Sequence, residues 1–191
     1  MDEKSLVQKF VNVVNSRLVN TDIELKEGEN LFYELTVNRG LDLHVGRIEN
    51  QIRGKSAFQT DVIVFEKNEK KGFPLIVFEF KLNPSTHDII VYSAKARKHK
   101  QIYPWLRYGM LICGIDEIPI RKFLKHNEFL DFCVSVKKMF DGGMINEVET
   151  DKIIGFIQSE IEIAKTLESI CFDNHKKKCY YQNRIVFEDL L

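Results

Sequence analysis

The sequence predicts an α/β fold, a central sheet flanked by helices with a helical extension toward the C-terminal side. Three observations carry this. Residues 62–65 and 75–81 form two β-branched and aromatic runs separated by a charged turn over 66–72. A helical stretch from His87 to about Tyr103 follows the second run and precedes a third run over 108–115. Such a strand–helix–strand unit buries its sheet under helices. The second run, Leu75-Ile76-Val77-Phe78-Glu79-Phe80-Lys81, is nearly continuous in apolar residues, as in a strand covered on both faces.

The remaining elements follow in order. Leu6, Phe10, Val13, Val14 and Leu18 recur at helical spacing, with Ser5 as a cap. Residues 21–28 read as a break. A second helix is expected over 30–38, ended by Gly40. Residues 44–56 are polar and contain glycine, and read as a loop or ragged strand. Asn83-Pro84-Ser85 is a turn; Ser85 or Thr86 caps the next helix and Pro104 stops it. Gly109 and Gly114 flank the third run. Short helices are expected over 120–126 and 128–140, with a break at Asp141-Gly142-Gly143. A long helix over 151–171 would bury Ile153, Ile157, Ile161, Ala164 and Leu167. Residues 180–187 read as a late strand. There is no internal repeat and no low-complexity segment.

The 191 residues suit one domain with a substantial core, and fourteen phenylalanines make that core bulky. No run of about eighteen apolar residues offers a membrane span, and the charged start, Met1 to Lys4, is followed by no apolar signal core. The expected setting is cytoplasmic, with no membrane partner. Cys113, Cys133, Cys171 and Cys179 form no CxxC pair and read as reduced thiols; a zinc site would need tighter clusters. The formal net charge is zero. Neutrality does not point to nucleic acid, but a local basic strip is enough to hold phosphates. There is no Walker loop, GxGxxG, nucleophile elbow or HExxH.

Chemistry concentrates at Glu79 and Lys81. Two residues apart on a strand, they share a face, and Phe78 and Phe80 take the other. Charges inside an apolar run are costly unless something requires them. An acid-x-Lys triplet alone is weak, since Asp2-Glu3-Lys4, Glu24-Leu25-Lys26 and Glu69-Lys70-Lys71 occur as well. Context strengthens it: Asp61 opens the preceding run, and a basic helix and another strand follow. Two carboxylates on neighbouring strands suit a hard divalent cation, which polarises a phosphoryl oxygen and lowers the pKa of a bound water.

Thr60-Asp61 followed by Glu79-Phe80-Lys81 resembles the PD-(D/E)XK superfamily of restriction endonucleases and related nucleases. Thr60 stands where that pattern usually has proline. The resemblance covers about residues 30–115. It implies a restriction-endonuclease-like αβββαβ core, a central mixed sheet flanked by helices, with a helical C-terminal part over about 120–172. It implies a Mg²⁺- or Mn²⁺-dependent nuclease, first a DNA endonuclease of restriction, repair or defence type, with room for a homodimer. Asp61 and Glu79 would hold the metal together with the Phe80 carbonyl, and Lys81 would orient water or stabilise developing charge. Glu34 would add a third carboxylate from a helix before the first motif strand. On the following helix, Gln101, with Lys98 second, would face the site, and Lys95, Arg97, Lys98 and Lys100 would meet phosphates. The alternative is an inactive nucleic-acid-binding or assembly module on the same fold. Of the remaining polar residues, His87 and Asp88 read as a helix cap, and Trp105 as core.

Overall fold

The computed structural model describes residues 2–19, 21–37, 39–41, 43–44, 56–67 and 72–172. Along them the chain forms α1 (Glu3–Arg17), β1 (Ile23–Glu27), β2 (Asn30–Phe32), β3 (Thr36–Val37), β4 (Leu43–His44), β5 (Ala57–Gln59), β6 (Val62–Glu66) and β7 (Phe73–Lys81). There follow α2 (Thr86–Ile102), β8 (Arg107–Ile112), α3 (Ile120–His126), β9 (Phe132–Ser135), a 3-10 helix (Lys137–Gly143) and α4 (Glu147–Phe172). The expected strand over 180–187 and the remainder of the 44–56 stretch, residues 45–55, lie outside the described residues, as does Cys179.

The main sheet has five strands in the order β1-β6-β7-β8-β9. β6 is antiparallel to both of its neighbours, β1 and β7, while β7–β8 and β8–β9 are parallel. The expected mixed α/β sheet is therefore present, with helices on both faces. β2 pairs with β5 and β3 with β4 as separate two-stranded ribbons.

α1 begins at Asp2, whose carboxylate accepts from the Ser5 N–H at 3.0 Å, so Asp2 rather than Ser5 is the cap. The expected break over 21–28 is mostly strand β1. Ile23 and Leu25 point inward and charged residues alternate with them. The Asn15 side-chain amide bonds both the N–H (2.9 Å) and the C=O (3.0 Å) of Leu25, satisfying backbone groups that an edge strand leaves open. The sheet thus recruits α1 and β1, which precede the expected start of the core near residue 30.

Two expected helices are absent. In the first, residues 30–37 form β2 and β3 with an irregular stretch between them, and Asn38 lies outside the described residues. Leu31 and Phe32 are both buried, and the chain bonds to the distant β5, ending with Tyr33 N–H to the Ser56 carbonyl at 2.9 Å. Residues 128–140 form β9 and the 3-10 helix, because Phe132–Ser135 adds a parallel edge beside β8. In both cases long-range pairing overrides local helical spacing.

β7 divides the core. Phe78 and Phe80 join Phe10 of α1 and Ile157 of α4 on one face. Val77 joins Ile63, Ile89 and Ala96 on the face covered by α2. Pro74 is tolerated in this central strand because the β6–β7 register shifts at Val64/Phe65, opposite it. α4 presents Ile153, Ile157, Ile161 and Ala164 to the core, with Leu167 only half-buried. It is tied to the sheet through Glu160, which accepts from Arg107 Nε at 2.6 Å. Trp105 is buried as expected, donating to the Pro74 carbonyl at 2.8 Å. Among the described residues Cys113, Cys133 and Cys171 are free thiols, and no helix is long and apolar enough to cross a membrane.

Candidate active site

The site lies at one end of the β6–β7 pair. Their pairing stops at Val62↔Phe78, and Asp61 sits one residue beyond it. Asp61 Oδ2 accepts from the Phe80 N–H at 2.7 Å. The N–H and C=O of one strand residue point to the same edge, so the Phe80 carbonyl is on the side of Asp61. The backbone around Asp61 is pinned. Thr60 bonds the Glu29 carbonyl through both N–H (2.9 Å) and Oγ1 (3.0 Å), and the Asp61 carbonyl accepts from Gly28 N–H at 3.0 Å. Gly28 has φ +69°, which favours glycine in this turn.

Glu79 is 1% exposed and turned toward α2. Its Oε1 accepts from Lys95 Nζ at 2.5 Å and from the Tyr108 hydroxyl at 2.5 Å. Burial pushes the Glu79 carboxyl up to about 7, against the attraction of Lys95 and with the repulsion of Asp61. Desolvation thus outweighs the ion pair. Tyr92 of α2 is pushed up to about 12, by burial first and then by Glu79. Lys95 also donates to the Gln59 carbonyl at 3.0 Å and lies 5.2 Å from the Tyr92 ring centre.

Lys81 Nζ bonds Glu3 Oε1 at 3.0 Å and lies 5.6 Å from the Tyr92 ring centre. Burial draws its pKa down, but the bond to Glu3 and the nearby Tyr92 outweigh this and raise it. Glu3 is the site residue that sequence reasoning missed. It is 78 residues from Lys81 and reads as a first-turn acid favouring the helix dipole. No spacing signals it. The Cys113 thiol adjoins the cluster; burial and then Glu3 push it up to about 11.

The other expected residues divide. Glu34 is exposed in the irregular stretch between β2 and β3, on no helix. Among the described residues no three His, Cys, Asp or Glu side chains are grouped to hold a metal, so Glu34 does not complete a triad with Asp61 and Glu79. α2 brings Lys95 to the site in place of Gln101 or Lys98, which are both exposed. The face of α2 turned to the sheet carries Ile89, Ser93, Ala96 and His99, flanked by Tyr92 and Lys95. Lys100 is turned instead to the Phe129 carbonyl (2.9 Å) and Asp131 (2.7 Å), and Arg97 packs 5.5 Å from the Phe129 ring centre. Asp88 caps α2 in a reciprocal box with Ser85.

Asp61, Glu79 and the Phe80 carbonyl offer hard oxygens that suit Mg²⁺, which keeps waters and needs only one or two carboxylates. The Lys95 ammonium already supplies one positive charge against Glu79. A divalent cation would therefore share Glu79 with Lys95 or move it aside. The chain's sequence matches no protein-family model and no curated protein.

Proposed function

We propose that this chain is a metal-dependent nuclease, acting first on DNA, with a restriction-endonuclease-like core. The observation that carries the proposal is that Asp61, at the end of β6, bonds the Phe80 N–H between Glu79 and Lys81 of β7 and acts electrostatically on Glu79. The order of elements around the main sheet supports it: α1, the antiparallel β1, β6 and β7, then α2 and the parallel β8.

A bound Mg²⁺ or Mn²⁺ would neutralise charge on the scissile phosphate and lower the pKa of a water. The chain's own groups would do the rest. Asp61, oriented by the Phe80 N–H, and Glu79, oriented by Tyr108, would present their oxygens to the metal once Lys95 gives way. Lys81, kept protonated by Glu3, would stabilise negative charge as it develops on the phosphate. Lys95, released from Glu79, would be free to bind a phosphate oxygen. Glu34 drops out of this reading, and Glu3 enters it as the partner of Lys81.

The test is cleavage of plasmid and single-stranded DNA with Mg²⁺ or Mn²⁺, against EDTA and Lys81→Ala. Loss of cutting in both controls supports the proposal. Cutting that persists in both belongs to a contaminant and overturns it.

One observation favours a second reading, an inactive binding or assembly module. Lys95–Glu79 and Lys81–Glu3 are each closed ion pairs within the protein. If they are purely structural, calorimetric titration with Mg²⁺ and Mn²⁺ will give no heat that Asp61→Asn abolishes.

A further inference from the structure

A column of four rings runs from the β2–β5 ribbon to the proposed site. Tyr33 stacks on Phe58 with centroids 4.0 Å apart and planes 18° from parallel. Phe58 lies 5.8 Å from His99, and His99 lies 5.5 Å from Tyr108, whose hydroxyl holds Glu79. The inner rings are fully enclosed: His99 and Tyr108 have no exposed surface. The outer two, Tyr33 and Phe58, are half-buried.

Tyr33 stands at the edge of the packed region. Leu31, on the same face two residues earlier, is buried in the core under α2. Residues 34–37 beyond it are exposed, including Leu35 and Val37. Tyr33 is thus the last ring before the chain leaves the core, and its stacking partner is held rigidly from behind. The ribbon is also joined to the site. Gln59 of β5 accepts from Lys95, the residue that bonds Glu79, and Asp61 is three residues beyond Phe58. The three residue steps from Phe58 to Asp61 place their Cα atoms no more than about 11 Å apart, a separation that a few nucleotides can span.

We propose that Tyr33, backed by Phe58, is a stacking platform for an unpaired nucleobase a few nucleotides from the scissile phosphate, so that the substrate is single-stranded nucleic acid or a frayed or branched end. The assignment rests on the nuclease reading for its phosphate site. Its chemistry is separate: paired bases in a duplex already cover each other's faces, whereas an unpaired base exposes a π-face that an aromatic ring can meet. Stacking tolerates any base, so the platform selects strand state rather than sequence.

The experiment measures binding without metal, on the full chain in EDTA, by fluorescence anisotropy. The probes are labelled oligodeoxythymidylate, oligouridylate and a blunt DNA duplex. The unaltered protein binds at least one single strand more tightly than the duplex. Tyr33→Leu, which keeps apolar cover but loses the π-face, weakens single-strand binding about tenfold or more and leaves duplex binding unchanged. Tyr33→Trp retains it. Equal affinity of Tyr33→Leu and the unaltered protein for both single strands overturns the proposal, as does an equal loss for single strand and duplex. The ratio of the two single-strand affinities tells DNA from RNA. Since no cleavage is measured, failure here leaves the nuclease reading standing. Conversely, Tyr33-dependent binding without any Mg²⁺-dependent cutting refutes catalysis and keeps the platform.

Discussion

Lys95 of α2 donates to Glu79 of β7 at 2.5 Å, so the buried acid of the Glu-x-Lys triplet is neutralised from a neighbouring helix and not by the lysine beside it in sequence. Lys81 turns instead to Glu3. The site therefore holds two acid–lysine pairs, with Asp61 as an acid bound to backbone.

Removal of the Asp61 charge separates site from scaffold. Asp61→Asn keeps an acceptor for the Phe80 N–H and relieves repulsion on Glu79. Its thermal midpoint should stay level with that of the unaltered protein or rise slightly, while metal-dependent cutting disappears. Asp61→Ala also loses the Phe80 bond and should be less stable than Asp61→Asn by about 1 kcal/mol. Unfolding of both variants would make Asp61 structural.

The Glu3 variant tests the acid that enters from α1. Glu3 is partly exposed, so Glu3→Gln should change stability by no more than about 1 kcal/mol. If Lys81 depends on this partner for its orientation, cutting falls about 10- to 100-fold, read as a lower kcat with an unaltered KM. Unchanged kinetics would confine Glu3 to a surface ion pair.

Two buried groups should oppose each other in the pH dependence of stability. Glu79 rises from 4.5 to about 7 on folding, so the native state holds the extra proton; stability is full below pH 4.5 and is lost as pH rises to about 7, by roughly 3 kcal/mol. His99 is lowered from 6.5 to about 3, by burial and then by Lys95. Neither ring nitrogen finds a hydrogen-bonding partner among the described residues; the Leu31 backbone favours the charged ring slightly, without good hydrogen-bond geometry. For His99 the unfolded state holds the extra proton, so stability is full above pH 6.5 and falls toward pH 3, by roughly 5 kcal/mol. Between pH 4.5 and 6.5 the slopes offset. Urea unfolding of Glu79→Gln should expose the acid loss alone, and that of His99→Leu the loss on raising pH. Parallel profiles for the two variants would refute this assignment.

Gly109 of β8 packs directly under the Phe132 ring of β9. A Cβ there would lie 2.1 Å from the Phe132 ring. Gly109→Ala should destabilise by about 3 kcal/mol or prevent folding, because a packed core admits no extra methyl without displacement. Phe132→Leu should partly rescue it. A Gly109→Ala protein with an unshifted urea midpoint would show that β9 moves freely away from β8.

Sequence alone determined the central unit. The apolar runs around Ile63 and Val77, the Ser85 cap and the stop before Pro104 are local signals, because strand burial and helix capping act over a few residues. The Asp61, Glu79 and Lys81 positions were legible for the same reason: charges at the ends of apolar runs stand out. Tertiary structure decided the rest. β1 and β9 are short edge strands whose pairing energy comes from β6 and β8, and Asn30–Phe32 became strand because β5 supplied its hydrogen bonds. The partners of the two motif charges were likewise decided in space: Lys95 for Glu79 and Glu3 for Lys81. Electrostatic pairing depends on which helix faces a strand end, and no spacing along a single chain encodes that distance.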